Sequence, residues 1–165
     1  MSHMAVIGAG AWGTALARIL AAHADKVSLW TWQASHAIRM CDTRENAEFL
    51  PGFALTENIE PTADLEQALR GASLALIAVP SQVVRNTIQQ AVPWLQKAEC
   101  LVIATKGIEE DSLKLMSEVV GDVLGNEAAR RLVVLSGPSF AKEVALGMPT
   151  NVVVAGSDSK IVSFV

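Results

Sequence analysis

The stretch Met4-Ala5-Val6-Ile7-Gly8-Ala9-Gly10-Ala11-Trp12-Gly13-Thr14-Ala15-Leu16-Ala17-Arg18-Ile19-Leu20 decides the fold. It runs from a short apolar segment through G-x-G-x-x-G into an amphipathic segment, the order of the first turn of a dinucleotide-binding unit. The three glycines have separable tasks. Gly8 permits the tight turn, Gly10 lets the backbone approach a pyrophosphate, and Gly13 lets the helix lie close on the strand. The helix start then offers unpaired N–H groups and partial positive charge to phosphates. A lone G-x-G-x-x-G is weak evidence. Its place between a strand pattern and a helix pattern gives it weight.

Working outward, Trp12, Ala15, Leu16, Ile19 and Leu20 form the i, i+3, i+4 stripe of a helix packed on a sheet. Residues 27–32 read as a second strand, 35–40 as a short helix and 55–59 as a weak strand. A helix starts at Thr62-Ala63-Asp64, runs to Leu69 and stops at Gly71. Leu74-Ala75-Leu76-Ile77-Ala78-Val79 is a continuous apolar run, as in a central parallel strand buried on both faces. Helices are expected over 83–91, ended by Pro93, over 111–124, and over 140–146. Further strands are expected over 100–104, 132–135 and 151–155. Alternating β and α segments predict an α/β, Rossmann-type doubly wound fold: a mostly parallel sheet, helices on both faces and right-handed crossovers.

Length and composition narrow the class. The chain has 165 residues, with 51% hydrophobic and 18% charged, which suits one domain with a well-buried core. Met1-Ser2-His3 reads as a tag scar or disordered lead-in, so the NAD(P)-binding domain is expected over 4–165. No apolar stretch approaches the ~20 residues of a membrane span, and the glycines fit a phosphate loop better than a signal peptide. With 13 basic and 17 acidic residues the net charge is −4, which argues against a nucleic-acid partner. Cys41 and Cys100 lie far apart with no metal-ligand spacing, so two reduced thiols in a cytoplasmic protein and no metal site are expected. His23 and His36 read as solvated surface residues.

In a doubly wound sheet, ligands bind outside the carboxyl ends of the strands. Four features fall on that rim: 8–13, Val79-Pro80-Ser81, Thr105-Lys106-Gly107 and Ser136-Gly137-Pro138-Ser139. Together they predict one cleft. Lys106 could neutralise a phosphate or polarise a ketone. Ser139 sits where a helix N-cap belongs, and Gly137 offers backbone N–H groups beside it. An NAD-selective unit usually carries an acid about 20 residues after the glycines. Here Trp30-Thr31-Trp32-Gln33 has none, which weakly favours NADPH. Arg39 or Arg44 could supply charge there, and Trp32 could stack on an adenine or belong to the core.

The motifs Gly8-Ala9-Gly10-Ala11-Trp12-Gly13-Thr14-Ala15-Leu16-Ala17, Asn46 with Phe49-Leu50-Pro51-Gly52, Val79-Pro80-Ser81, Ala104-Thr105-Lys106-Gly107 and Ser136-Gly137-Pro138-Ser139-Phe140-Ala141-Lys142-Glu143 occur in one order. In that order the chain resembles the bacterial type of NAD(P)-dependent glycerol-3-phosphate dehydrogenase, from Met4 to about Ala155. The resemblance implies that NADP or NAD meets Gly8, Gly10, Ala11, Trp12, Gly13, Trp32, Gln33, Lys106 and Ala141. It implies that Lys106, Gly137 and Ser139 contact a small phosphorylated substrate. The implied reaction interconverts sn-glycerol 3-phosphate and dihydroxyacetone phosphate for glycerophospholipid synthesis, in the cytoplasm. The resemblance also implies a second, helical domain beyond this chain that carries the general acid/base lysine. Residues 1–165 alone are therefore expected to bind cofactor without turnover, with no catalytic residue of their own. A homodimer is compatible with this reading of the full-length protein. Two alternatives stay open: a non-catalytic NAD(P)-binding or redox-sensing module, and the first domain of another hydroxyacid or sugar-acid dehydrogenase.

Overall fold

A computed structural model describes residues 2–165. Its elements, in chain order, are β1 (His3–Ile7), α1 (Ala11–Ala21), β2 (Lys26–Trp30), α2 (Ala34–Thr43), β3 (Ile59–Thr62), α3 (Leu65–Leu69), β4 (Leu74–Ile77) and α4 (Ser81–Leu95). There follow β5 (Cys100–Ile103), α5 (Met116–Leu124), α6 (Asn126–Arg130), β6 (Leu132–Ser136), α7 (Ala141–Ala145), β7 (Val153–Gly156) and α8 (Ser159–Phe164). The seven strands form one sheet in the order β3-β2-β1-β4-β5-β6-β7. All neighbouring pairs are parallel except β6 with β7. This is the expected mostly parallel, doubly wound α/β sheet.

The apolar strand runs follow from burial on both faces. In β1, β4 and β5, side chains alternate between two hydrophobic layers. Ala5, Ile7, Ala75, Ile77, Leu101 and Ile103 face α3, α4, α5 and α6, packing on residues such as Leu69, Ile88, Val120 and Ala128. Met4, Val6, Leu74, Leu76, Cys100 and Val102 face the other side, where Leu16 and Ala17 of α1 and Met40 of α2 cover them. Each fully buried side chain of this size contributes about 1.5–3 kcal/mol.

The sheet grows outward in one direction from β1 through β2 to β3, and in the other from β4 through β5 to β6. The switch therefore lies between the carboxyl ends of β1 and β4. Gly8 stands there with φ of +121°, and a Cβ on it would meet the Ala78 carbonyl carbon and oxygen at 2.8 Å. A Cβ on Gly13 would stand only 1.8 Å from the Gly8 carbonyl oxygen. Helix α1 can approach the turn only without that atom.

Several boundaries differ from the sequence reading. Strand β1 begins at His3, so two of the three lead-in residues are ordered: the Ser2 carbonyl accepts from the N–H groups of Asp25 and Lys26, and His3 hydrogen-bonds Ser28 at 2.9 Å. Met1, the third, lies outside the described residues. The strand expected over 55–59 sits at Ile59–Thr62, because Asn58 is drawn into a turn by donating to the Ala21 and Ala24 carbonyls at the end of α1. Pro61 is tolerated because β3 is an edge strand. Helix α4 continues through Pro93 to Leu95; so near its end, proline removes one hydrogen bond on an exposed face. Helix α5 starts at Met116 rather than 111, since 108–115 folds into a tight loop closed by a bridge between Ile108 and Leu115. Ile19, assigned to the sheet-facing stripe, is exposed, and α8 had no sequence signal. Both cysteines are free, Cys100 buried and Cys41 exposed. Among the described residues no helix is long and apolar enough to cross a membrane.

The glycine geometry yields a paired test. Gly13→Ala should destabilise the fold by roughly 1–3 kcal/mol, because its new methyl must displace backbone. Gly121→Ala, in the interior of α5 with nothing within 4 Å of an added Cβ, should stabilise by about 0.5–1 kcal/mol. Urea unfolding midpoints measure both, and equal shifts would refute the close-packing account.

Candidate functional site

At the switch point a cleft of about 640 Å³ opens along the carboxyl edge of the sheet. Its floor is the loop after β1. Gly10 is the N-cap of α1, and neither a capping side chain nor an acidic residue occupies the first turn. The first N–H groups of this 11-residue helix thus lack both an intrahelical partner and a local carboxylate. An added Cβ on Gly10 would meet nothing within 4 Å, and its φ is −74°. Neither packing nor backbone conformation requires glycine there. Space for something outside the protein does, and a pyrophosphate on a helix start fits that space.

The opposite wall comes from the ends of β4 and β5. Val79 and Pro80 follow β4, and the Thr105 hydroxyl donates to the Val79 carbonyl at 2.7 Å. The Trp12 indole N–H donates to the Ala104 carbonyl at 3.2 Å, tying α1 to the end of β5. Lys106 follows on an exposed turn. Its ammonium donates to the Gly137 carbonyl at 2.7 Å and reaches the Ser139 hydroxyl at 3.4 Å. Among the described residues it has no acidic partner. An ammonium held by a neutral carbonyl keeps its charge available to an anion in the cleft.

Gly8, Gly10, Ala11, Trp12, Trp32, Gln33, Lys106, Ser139 and Ala141 all line this one cleft. Gly13 does not line it; it supports the loop from beneath. Gly137 lies just behind, reaching the cleft through Lys106. Trp32 is 76% exposed, so it is a rim residue and not part of the core. Ser139 is not the cap of α7. Phe140 holds that position, and Ser139 turns back on the Gly137 carbonyl. Arg39 and Arg44 do not reach the cleft. Arg39 pairs with Glu48, and Arg44 donates to the carbonyls of Leu55, Thr56 and Ile59.

His36 is the largest departure. Read as a surface residue, it is 3% exposed and lines the cleft, edge-on to Phe49 with ring centroids 5.4 Å apart. Thr31, Phe49 and Phe140 were also missed as lining residues, whereas Thr105 lines the cleft as its rim motif predicted. A single histidine has no periodicity to betray burial, although Asn46 and Phe49 already stood in a recognised motif.

Known proteins resemble this chain over nearly its whole length. A profile described as the N-terminus of NAD-dependent glycerol-3-phosphate dehydrogenase matches residues 3–162. A glycerol-3-phosphate dehydrogenase [NAD(P)+] of Geobacter sp. (strain M21) is 48% identical over 96% of this chain and 47% of its own length. That of Moorella thermoacetica is 44% identical over 98% of this chain and 47% of its own. The chain thus spans about half the length of these curated relatives. The crystal structure of glycerol-3-phosphate dehydrogenase from Coxiella burnetii superposes with a TM-score of 0.90 at 34% identity, covering 99% of this chain and 49% of that one.

The loop that carries Lys106 is fastened from behind. Arg85 of α4 donates from Nε and Nη2 to the two carboxylate oxygens of Glu109, each at 2.8 Å, and also reaches Asp122 at 3.1 Å. Gln82 accepts from the Glu110 N–H and donates to the Ile108 carbonyl. The Arg85 hydrogen bonds, with help from Ser112, pull the Glu109 carboxyl down to about 2 from its ordinary 4.5. A depressed folded-state pKa stabilises above the unfolded value and loses that contribution as pH falls through the folded one. The melting temperature of Glu109→Gln should therefore lie below wild type at neutral pH. The gap should close between pH 4.5 and about 2. A gap that stayed constant across that window would contradict the ion-pair origin.

Proposed function

We propose a function from this premise: the chain belongs to the family of NAD-dependent glycerol-3-phosphate dehydrogenases. Residues 4–165 serve as the cofactor-binding half of an oxidoreductase that interconverts sn-glycerol 3-phosphate and dihydroxyacetone phosphate with NAD(P)H. The observation that carries this reading is the empty space over Gly10 at an uncapped helix start, in one cleft with Lys106. The pyrophosphate would lie on the first turn of α1 beside Ala11 and Trp12, with Ala141 on the α7 side. The adenosine end would lie toward Trp32 and Gln33. When bound, the nicotinamide would supply the reducing equivalent for the ketone carbon.

Lys106 has a defined part in this reading. Its ammonium, anchored on the Gly137 carbonyl, faces the zone shared by cofactor and substrate and would hold the substrate phosphate with the Ser139 hydroxyl. It is a charged contact and not the general base, because the proton acceptor must lie within hydrogen-bond reach of the substrate hydroxyl, whereas the Lys106 ammonium is held on the Gly137 carbonyl. That base, a lysine, would come from a helical domain outside these residues. Residues 1–165 alone should therefore bind NADPH without oxidising it in the presence of dihydroxyacetone phosphate. The full protein would work in the cytoplasm, in glycerophospholipid synthesis.

Two measurements on the purified 1–165 polypeptide test this. Calorimetry should show NADPH binding, and Gly10→Val should weaken it by about a hundredfold or more by occupying the pyrophosphate space, with the melting temperature nearly unchanged. Tight binding by Gly10→Val would refute the phosphate-loop assignment. With no acid at the end of β2, NADPH should bind at least as well as NADH. Gln33→Asp should then shift preference toward NADH by about tenfold, since a carboxylate accepts from a ribose 2′-hydroxyl and repels a 2′-phosphate. A wild-type preference for NADH on the order of a hundredfold would overturn the cofactor reading.

A further inference from the structure

Beneath the adenosine end of the cleft runs a chain of four buried polar side chains. Thr14 and Asn46 are fully buried, His36 is 3% exposed and Thr31 is 5% exposed. The Asn46 side-chain amide donates to the Ala9 carbonyl and to the Thr14 hydroxyl oxygen, both at 2.8 Å. Asn46 Oδ1 lies 3.0 Å from His36 Nε2 and also accepts from the Phe49 N–H at 3.3 Å. His36 Nδ1 lies 3.1 Å from the Thr31 hydroxyl.

The hydrogens in this chain follow from one fixed end. A backbone carbonyl can only accept, so the Asn46 group facing Ala9 is the NH2. Its oxygen therefore faces His36, and His36 Nε2 bears the hydrogen. In the neutral ring Nδ1 is then the acceptor, and the Thr31 hydroxyl donates to it. Every member is satisfied, and in a low-dielectric interior such a network is stiff and has no alternative arrangement of equal quality. One end grips Ala9, between the two glycines of the phosphate loop. The other end grips Thr31, the first residue after β2. The remaining contact, Phe49, closes the ring's exposed edge.

We infer that His36 is a positioning residue for the dinucleotide, fixing the span between the pyrophosphate loop and the ribose end of β2 through Asn46 and Thr31. This inference rests on the cofactor reading of the cleft. The ring need not touch the cofactor. It holds the two places that grip adenosine diphosphate at one separation, and a small loss of that registry weakens binding. The nicotinamide end, beside Lys106, lies outside its reach.

Calorimetry with NADH and with ADP, on wild type and two replacements of His36, tests the role. Gln can donate to Asn46 Oδ1 and accept from the Thr31 hydroxyl, whereas Leu can do neither. His36→Leu should weaken NADH binding by about tenfold or more, with an equal fractional loss for ADP, since the affected contacts lie on the shared moiety. His36→Gln should stay within about threefold of wild type for both ligands. A merely structural role would lower the melting temperature and leave affinity untouched, and that result overturns the inference. So does an equal loss in both variants, or a loss for NADH that ADP does not share. If His36→Leu fails to fold, Thr31→Val and Thr31→Ser replace it. The valine should bind more weakly and the serine should match wild type, and identical affinities would overturn the inference. Wild type binding none of NADPH, NADH and ADP would instead sink the cofactor reading, and this inference with it.

Discussion

Helix α1 can lie against the turn after β1 only because residue 13 has no side chain. The Gly8 carbonyl occupies the place where a Cβ would stand, 1.8 Å away. Everything at the cleft inherits that approach. With α1 close, its uncapped first turn opens at the carboxyl edge of the sheet, between β1 and β4. With α1 close, Trp12 reaches the Ala104 carbonyl and braces the end of β5, from which Lys106 projects. Asn46, too, can grip Ala9 and Thr14 at once only while loop and helix stay together. One missing methyl thus positions an open helix start, a cation and a polar brace.

The glycines divide between two that the fold demands and one that it does not. Gly8 and Gly13 are required by backbone conformation and contact within the protein. Gly10 is required by neither, and the space it leaves has no use in the folded chain itself. That separation is why substitutions at 13 and at 10 should act on different observables. It also strengthens a motif that is weak as a pattern, because Gly8 and Gly13 are each required by the fold for a different physical reason while Gly10 leaves open space.

Much of the architecture was legible because a doubly wound sheet writes itself as long apolar strands alternating with striped helices. Residues 74–79 and 100–104 could hardly be anything but central strands. The rim loops followed from topology, so the cleft could be assembled from four short motifs before any coordinates. What escaped was decided by tertiary partners. The 55–59 segment looked like a strand until Asn58 was claimed by the end of α1. The 111–115 segment looked helical, but Arg85 and Glu109 fold it into a loop. Arg39 and Arg44 could have been cofactor cations, and each is engaged elsewhere. His36 was invisible because its burial depends on Asn46, ten residues later, being oriented by a carbonyl of the glycine loop.

The cleft also has an electrostatic logic. Residues 1–165, with a net charge of −4, would repel an anionic ligand at long range. At short range the cleft reverses that field with few elements: the partial positive charge of the α1 start and the Lys106 ammonium. Among the described residues neither is paired with an acidic side chain. By contrast, two acidic groups on and behind the Lys106 loop, Glu109 and Asp122, are bound to Arg85 and Lys114. That pairing does two things. It holds the loop in place, and it satisfies those two carboxylates on cations other than Lys106. The cationic character of the site therefore depends as much on where the carboxylates are sequestered as on where the lysine stands.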